Sequence, residues 1–122
     1  MEERRAYLRF NEEANLVLKP NDGTSRAIKA ELVDISFIGI GVYVKEEMKM
    51  GTEVKIELIT KLWDAPIVGE GNIKYVNGAK MLDRNTFRMG IEFNCIDKKA
   101  IQYILNSIQK DICEKARRKI FP

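Results

Sequence analysis

Histidine is absent from this chain of 122 residues. That removes Ser-His-Asp and Cys-His nucleophilic catalysis, the commonest general base and the commonest metal ligand. Cysteine is scarce: Cys95 and Cys113 stand alone, and no Cys-x-x-C pair exists. A structural zinc site therefore has no basis, and two buried or half-buried reduced thiols are expected rather than a disulfide. No apolar run approaches the roughly 20 residues that span a bilayer. No apolar segment of the kind found in a secretory leader follows Met1-Glu2-Glu3-Arg4-Arg5. A cytoplasmic location without membrane insertion is the expectation. An excess of one charge is lacking too. Lys and Arg number 21 against 18 Asp and Glu, a net +3, which is too mild to argue for bulk nucleic-acid binding.

What is present is the balance of a folded soluble domain, with 45% hydrophobic and 32% charged residues. The length fits one core. There is no internal repeat, low-complexity stretch or linker. Residues 1–12 read as a polar arm, in which Arg4, Arg5 and Arg9 crowd around Tyr7, Leu8 and Phe10.

Residues 14–94 read as strands. Asn15–Lys19 is the first, closed by the turn Pro20-Asn21-Asp22-Gly23. Arg26–Ile35 alternates, with Ile28, Ala30, Leu32 and Asp34 on one side. Ile40–Val44 follows. Lys45–Gly51 is a connection, with Met48 and Met50 placed to tuck under it. Glu53–Ile59 alternates between charged and apolar, as a half-buried antiparallel strand does. Pro66–Val76 contains Gly69 and Gly71, which mark a bulge or sharp coiling, and Asn77-Gly78 is expected to end it. Thr86–Phe93 is the last strand. The period then changes. Ala100, Ile101, Ile104, Leu105, Ile108 and Ile112 form one apolar stripe on a helix over 97–119, with Asp97 as N-cap and basic residues at its end. The stripe is expected to pack on the barrel, or in part on a second subunit. The whole is mainly β: a six-stranded antiparallel barrel with a C-terminal α-helix.

Two clusters carry chemistry. Arg4, Arg5 and Arg9 are forked, permanently charged groups suited to phosphate oxygens, guanine edges or base stacking. Read alone, they are better explained as a solvated, frayed helical turn with Arg9 and Glu13 paired at i,i+4. Asp34-Ile35-Ser36-Phe37-Ile38-Gly39 lies between two strands. Such a turn uses Asp and Ser to bond the local backbone and Gly to take a positive φ. Alternatively, Asp34 accepts from guanine N–H groups, Ser36 bonds a base or phosphate, and Gly39 lets a ligand approach the backbone.

Together and in this order, the clusters resemble the PilZ domain, a bacterial receptor module for cyclic di-GMP. Arg5-Ala6-Tyr7-Leu8-Arg9 is similar to its R-x-x-x-R motif, with Arg4 as an extra arginine. Asp34-x-Ser36-x-x-Gly39 is similar to its D/N-x-S-x-x-G motif, and Met89-Gly90-Ile91-Glu92-Phe93 to its closing strand. The resemblance covers essentially the whole chain. It implies a ligand site made of Arg4, Arg5, Arg9, Asp34, Ser36 and Gly39, with Tyr75 at the place of an aromatic near the ligand. It implies a stand-alone receptor that needs no cofactor or metal and has no catalytic residues. Ligand binding would order the arm for an unidentified protein partner, with one or two ligand copies left open. The alternatives are a PilZ-like adaptor that binds protein only, and a small barrel for RNA or single-stranded DNA. The second lacks the basic residues interleaved with aromatics that such sites use. An enzyme is not expected, since no glycine-rich phosphate loop, metal cluster or carboxylate pair can be named.

Overall fold

The computed structural model describes residues 7–81 and 84–120, with the side chains of 79–81, 84–85 and 118–120 outside the description. In chain order the elements are β1 (Leu8–Arg9), β2 (Ala14–Pro20), β3 (Ile28–Ile35), β4 (Gly39–Val44), β5 (Glu53–Thr60), β6 (Trp63–Met81), β7 (Arg84–Cys95) and α1 (Lys98–Ile120). The sheet order is β1-β3-β2-β5-β6-β7-β4, and β3 also pairs with β4. That last pairing closes β2–β7 into a six-stranded antiparallel barrel and leaves no long open edge. β1 is an extra strand that pairs with the end of β3.

Alternation builds the core. Leu16 and Leu18 of β2, Val54, Ile56 and Leu58 of β5, and Ile40, Val42 and Val44 of β4 are buried, as are Met89 and Ile91 of β7. Each such side chain contributes about 1.5–3 kcal/mol by leaving water. Two of the extra residues that interrupt the alternation bear on the outer face. Val33 is the extra residue between the pairs Leu32↔Val42 and Asp34↔Gly41. A regular strand would turn Asp34 inward beside Leu32, the side on which simple alternation places it. The bulge turns it outward instead, and Ile35 takes the inner position, fully buried. Lys74 is likewise extra between Ile73↔Ile91 and Tyr75↔Gly90. It leaves Ile73 inside and brings Tyr75 outside.

Several boundaries differ from the sequence expectation. β6 begins at Trp63 rather than Pro66, after a two-residue turn at 61–62. Pro66, which has no N–H to donate, falls in the register break between Leu58↔Ile67 and Thr60↔Trp63. Asn77-Gly78 does not end β6, because Asn77↔Arg88 and Gly78↔Phe87 continue the ladder to Met81↔Arg84. Pairing along a long neighbour outweighs local turn chemistry there. Near Gly69 and Gly71 the ladder does shift, between Glu70↔Cys95 and Gly71↔Phe93. Met48 is buried as expected, but Met50 is exposed. Cys95 and Cys113 are unpaired and exposed rather than buried. Cys113 lies on the solvated half of α1, and Cys95 ends β7 outside the barrel.

Asp97 caps α1, its carboxylate accepting from the amides of Lys99 and Ala100 at 3.1 and 3.2 Å. Ala100, Ile101 and Ile104 are buried against the barrel, and Tyr103 packs on Trp63 with centroids 5.3 Å apart. Leu105 and Ile108 are partly buried, whereas Ile112 is 49% exposed. The stripe thus serves the barrel in its first half only. No helix among the described residues is long and apolar enough to cross a membrane.

A polar clasp fixes the turn between β2 and β3. Asp22 accepts from the hydroxyl of Thr24 at 2.6 Å and from its amide at 3.1 Å, and Arg26 reaches Asp22 at 2.9 Å and Glu46 at 2.6 Å. The Thr24 hydrogen bonds, followed by Arg26, pull the Asp22 carboxyl down to about 2 from 3.8. A carboxyl whose pKa is depressed by folding adds stability above its unfolded pKa, and this is lost as pH falls through the folded one. The expected result is that thermal midpoints of the wild type and Asp22→Asn converge between pH 4 and 2 and differ above it. Parallel curves through that window would contradict the clasp.

Candidate functional site

Arg9 and Asp34, one residue from each cluster singled out in the sequence, meet on one outer face of the barrel. Arg9 of β1 stands opposite Asp34 of β3. Asp34 stands opposite Gly41 of β4, Gly41 opposite Gly90 of β7, and Gly90 opposite Tyr75 of β6. One row, Arg9–Asp34–Gly41–Gly90–Tyr75, therefore crosses five adjacent strands. The Val33 and Lys74 bulges place Asp34 and Tyr75 of this row outside. The arm is strand here, so the helical pairing of Arg9 with Glu13 does not occur; Glu13 lies 3.8 Å from Lys61 instead. Phe10 anchors the arm, buried in the core, with its amide on the Val33 carbonyl at 2.9 Å. Arg4 and Arg5 lie outside the described residues.

Glycines floor the middle of the row. A Cβ on Gly90 would sit 2.0 Å from the Tyr75 ring, so the ring lies flat on bare backbone. A Cβ on Gly41 would sit 2.3 Å from Asp34 Oδ1 and 2.7 Å from Arg88 Nη2. Tyr75 is 39% exposed, which leaves a ring edge and face for a ligand.

Arg88 is a member of the site that sequence reading missed. It is the cross-strand partner of Tyr43, with its guanidinium 5.6 Å from that ring's centroid. Nη2 donates to Asp34 Oδ2 at 2.8 Å, and the pair is largely withdrawn from solvent, with side chains 23% and 21% exposed. Burial works against the guanidinium charge, but hydrogen bonds with Asp34 and Tyr75 outweigh it and raise its pKa. Asp34 Oδ1 is buried and has no hydrogen-bond partner among the described residues. The available signal was Gly41 inside Ile40-Gly41-Val42, since glycine inside a strand marks close approach by another group, here Asp34 and Arg88.

Ser36 takes a different place from the row. It is fully buried. Its Oγ accepts from the amides of Ile38 and Gly39 at 3.1 and 3.2 Å and faces the Gly39 carbonyl at 3.4 Å. It also hydrogen-bonds with Tyr7, another residue that sequence reading did not assign to the site. Burial of the phenol, together with the nearby charges of Asp34 and Glu92, keeps Tyr7 neutral by raising its pKa. Gly39 does not adopt the positive φ expected of it; among the described residues Gly23 and Gly51 do, each at 86°. Gly39 starts β4 opposite Glu92, and what it requires is closeness. A Cβ there would lie 2.3 Å from the Ile91 carbonyl oxygen and 3.0 Å from the Tyr7 hydroxyl.

The turn is also tied to α1. Lys98 donates to the Phe37 carbonyl at 3.1 Å, and its ammonium lies 4.6 Å from the Phe37 ring centroid and 5.7 Å from that of Phe93. The first residue of the helix thus grips the turn that presents Asp34. Among the described residues no group of His, Cys, Asp and Glu is arranged to hold a metal ion.

Solved structures with this fold include apo MrkH of K. pneumonia, with TM-score 0.79 and 15% identity over 94% of this chain and 53% of that one. MotI/DgrA of Bacillus subtilis matches at TM-score 0.67 and 18% identity, over 92% of this chain and 53% of that one. The PilZ domain of YcgR from Escherichia coli, solved with c-di-GMP, matches at TM-score 0.65 and 16% identity, over 93% of this chain and 98% of that one. The chain therefore spans about half the length of MrkH and MotI. No curated protein sequence matches it. The PilZ domain family model matches residues 3–110, and the chain belongs to that family.

Proposed function

We propose that this chain is a receptor for cyclic di-GMP, and that the outer row is its ligand site. The observation that carries this reading is the cross-strand pairing of Arg9 with Asp34. It joins the end of the arginine motif to the start of the Asp-x-Ser motif, although 24 positions of sequence lie between them. Membership of the family and the ligand in the YcgR domain support it. So does the MrkH complex with c-di-GMP, at TM-score 0.70.

The ligand carries two phosphates and two guanines. Arg9, with Arg4 and Arg5 of the same motif, supplies forked donors to phosphates and guanine edges. Asp34 accepts from the N–H groups of a guanine. Gly41 makes room for the Asp34–Arg88 pair and Gly90 for the Tyr75 ring, whose outer face is offered to a guanine for stacking. Ser36 and Gly39 act from below by holding the turn and Tyr7 in place. The arginines repel one another in the empty site, and the ligand's phosphates neutralise them. Binding therefore fixes the arginine side chains of the arm on the barrel rim, and a partner protein reads the new surface. The reading requires no catalytic step, cofactor or metal.

Calorimetric titration with cyclic di-GMP tests it. Charge-assisted hydrogen bonds lost from a binding site cost about 1.5–3 kcal/mol each, or roughly 10- to 150-fold in affinity. Arg5→Ala, Arg9→Ala and Asp34→Ala are each expected to weaken binding by that amount. Tight binding that survives all three substitutions would sink the receptor reading.

A further inference from the structure

We propose that Arg88 is a positioning residue for guanine recognition, which sets the selectivity of the site by fixing the Asp34 carboxylate. The proposal rests on the receptor reading and deepens it. Arg88 belongs to neither of the two motifs; it reaches the site from β7, across the barrel seam from Asp34.

Three observations carry it. First, the pair is asymmetric. Arg88 Nη2 holds Oδ2 at 2.8 Å, while Oδ1 is buried with no donor among the described residues. A buried, unpartnered carboxylate oxygen is costly, and it is an acceptor kept for something. Second, the guanidinium is itself held from three sides. Asp34 takes one edge, Tyr75 bonds with it, and the Tyr43 ring stands 5.6 Å away. A group gripped in this way is a scaffold rather than a loose surface charge. Third, Gly41 leaves the space that the pair occupies, since a Cβ there would meet both Oδ1 and Nη2.

Chemistry then defines the consequence. The Watson–Crick edge of guanine carries adjacent N1–H and N2–H donors, the complement of an ionised carboxylate held in one orientation. Adenine has no such pair of donors. Removing Arg88 leaves the Asp34 charge, largely withdrawn from solvent, uncompensated, so the carboxylate swings out or loses its fixed orientation. Either outcome removes the acceptor that separates guanine from adenine, while the phosphate grip of the arm is left intact.

The experiment compares cyclic di-GMP and cyclic di-AMP by calorimetry on the wild type, Arg88→Met, Asp34→Ala and the double variant, with thermal melts run beside them. Arg88→Met is expected to weaken cyclic di-GMP by about tenfold or more, the scale of one charge-assisted contact, and cyclic di-AMP much less. In the Asp34→Ala background the Arg88 substitution is expected to have no further effect, because it acts through Asp34. Arg88→Lys keeps the charge and covers the case in which the methionine variant does not fold. It is expected to fold and to lower the ratio of the two affinities by about threefold, since an ammonium cannot reproduce the fork. If Arg88→Met melts earlier but binds both ligands with wild-type affinity, Arg88 is structural only and the proposal is overturned. Full additivity with Asp34→Ala overturns it as well. A wild type that does not bind cyclic di-GMP overturns the receptor reading, and this assignment with it. A wild type that binds, with an Arg88→Lys or Arg88→Met variant equally tight and selective, overturns this assignment alone.

Discussion

Ile101→Ala is expected to lower the unfolding free energy by about 2–5 kcal/mol, the cost of emptying a filled core position. Ile101 is fully buried on the first half of α1, between the buried Ala100 and Ile104. It is held there from two sides. The Asp97 cap fixes where the helix starts, and the packing of Tyr103 on Trp63 fixes its second turn against β6. With both in place the helix cannot roll to fill the vacated volume, which favours the upper part of that range. Ile112 provides the contrast within the same helix. It is 49% exposed, so Ile112→Ala is expected to change stability by no more than about 0.5 kcal/mol. Urea titration separates the two: a lower midpoint with an unchanged slope for Ile101→Ala, and superimposed curves for Ile112→Ala. Equal losses at both positions would mean that the far half of α1 is packed as firmly as the near half, contrary to its exposure.

That contrast also shows what the sequence could convey. Periodicity reveals that Ile101, Ile104, Ile108 and Ile112 share a face. It does not reveal where the barrel ends beneath that face. Alternation similarly exposed β5 almost residue by residue, because one uninterrupted two-residue period runs through Glu53–Thr60 with Val54, Ile56 and Leu58 inside. It failed at Asp34, and would fail at Tyr75, for a single reason. Each follows one extra residue, Val33 or Lys74, and a bulge reverses every side chain beyond it. Nothing in the local composition announces those insertions; they are set by the register against β4 and β7. Asp34 was identified through its motif and then placed by the bulge. Arg88 was not identified, because its role depends on a partner 54 positions away. Gly39 was identified for the wrong property, since a turn glycine suggests positive φ, whereas this one serves close packing between strands.

The distinction at Gly39 has a measurable consequence. Gly39→Ala is expected to lower stability by about 1–3 kcal/mol, the usual cost of forcing extra volume into a packed position. For a chain of this size that is a fall of roughly 3–12 °C in thermal midpoint. The added methyl would meet the backbone oxygen of Ile91 at 2.3 Å. A carbonyl in the β4–β7 ladder has no rotamer to escape through, so the strands must separate locally. The same displacement would disturb the Tyr7 hydroxyl, 3.0 Å from that position, and the amide of residue 39, which bonds Ser36 Oγ at 3.2 Å. The turn that carries Asp34 loosens as a result, and cyclic di-GMP affinity falls together with stability. Gly78→Ala is the control. Gly78 also lies within a β7-paired strand, but a Cβ there meets nothing within 4 Å, so the substitution is expected to stay within about 0.5 kcal/mol of the wild type. If Gly39→Ala melted with the wild type, β4 and β7 would have to be farther apart at this point than the pairing Gly39↔Glu92 allows, and the account of Gly39 as a spacing residue would fail.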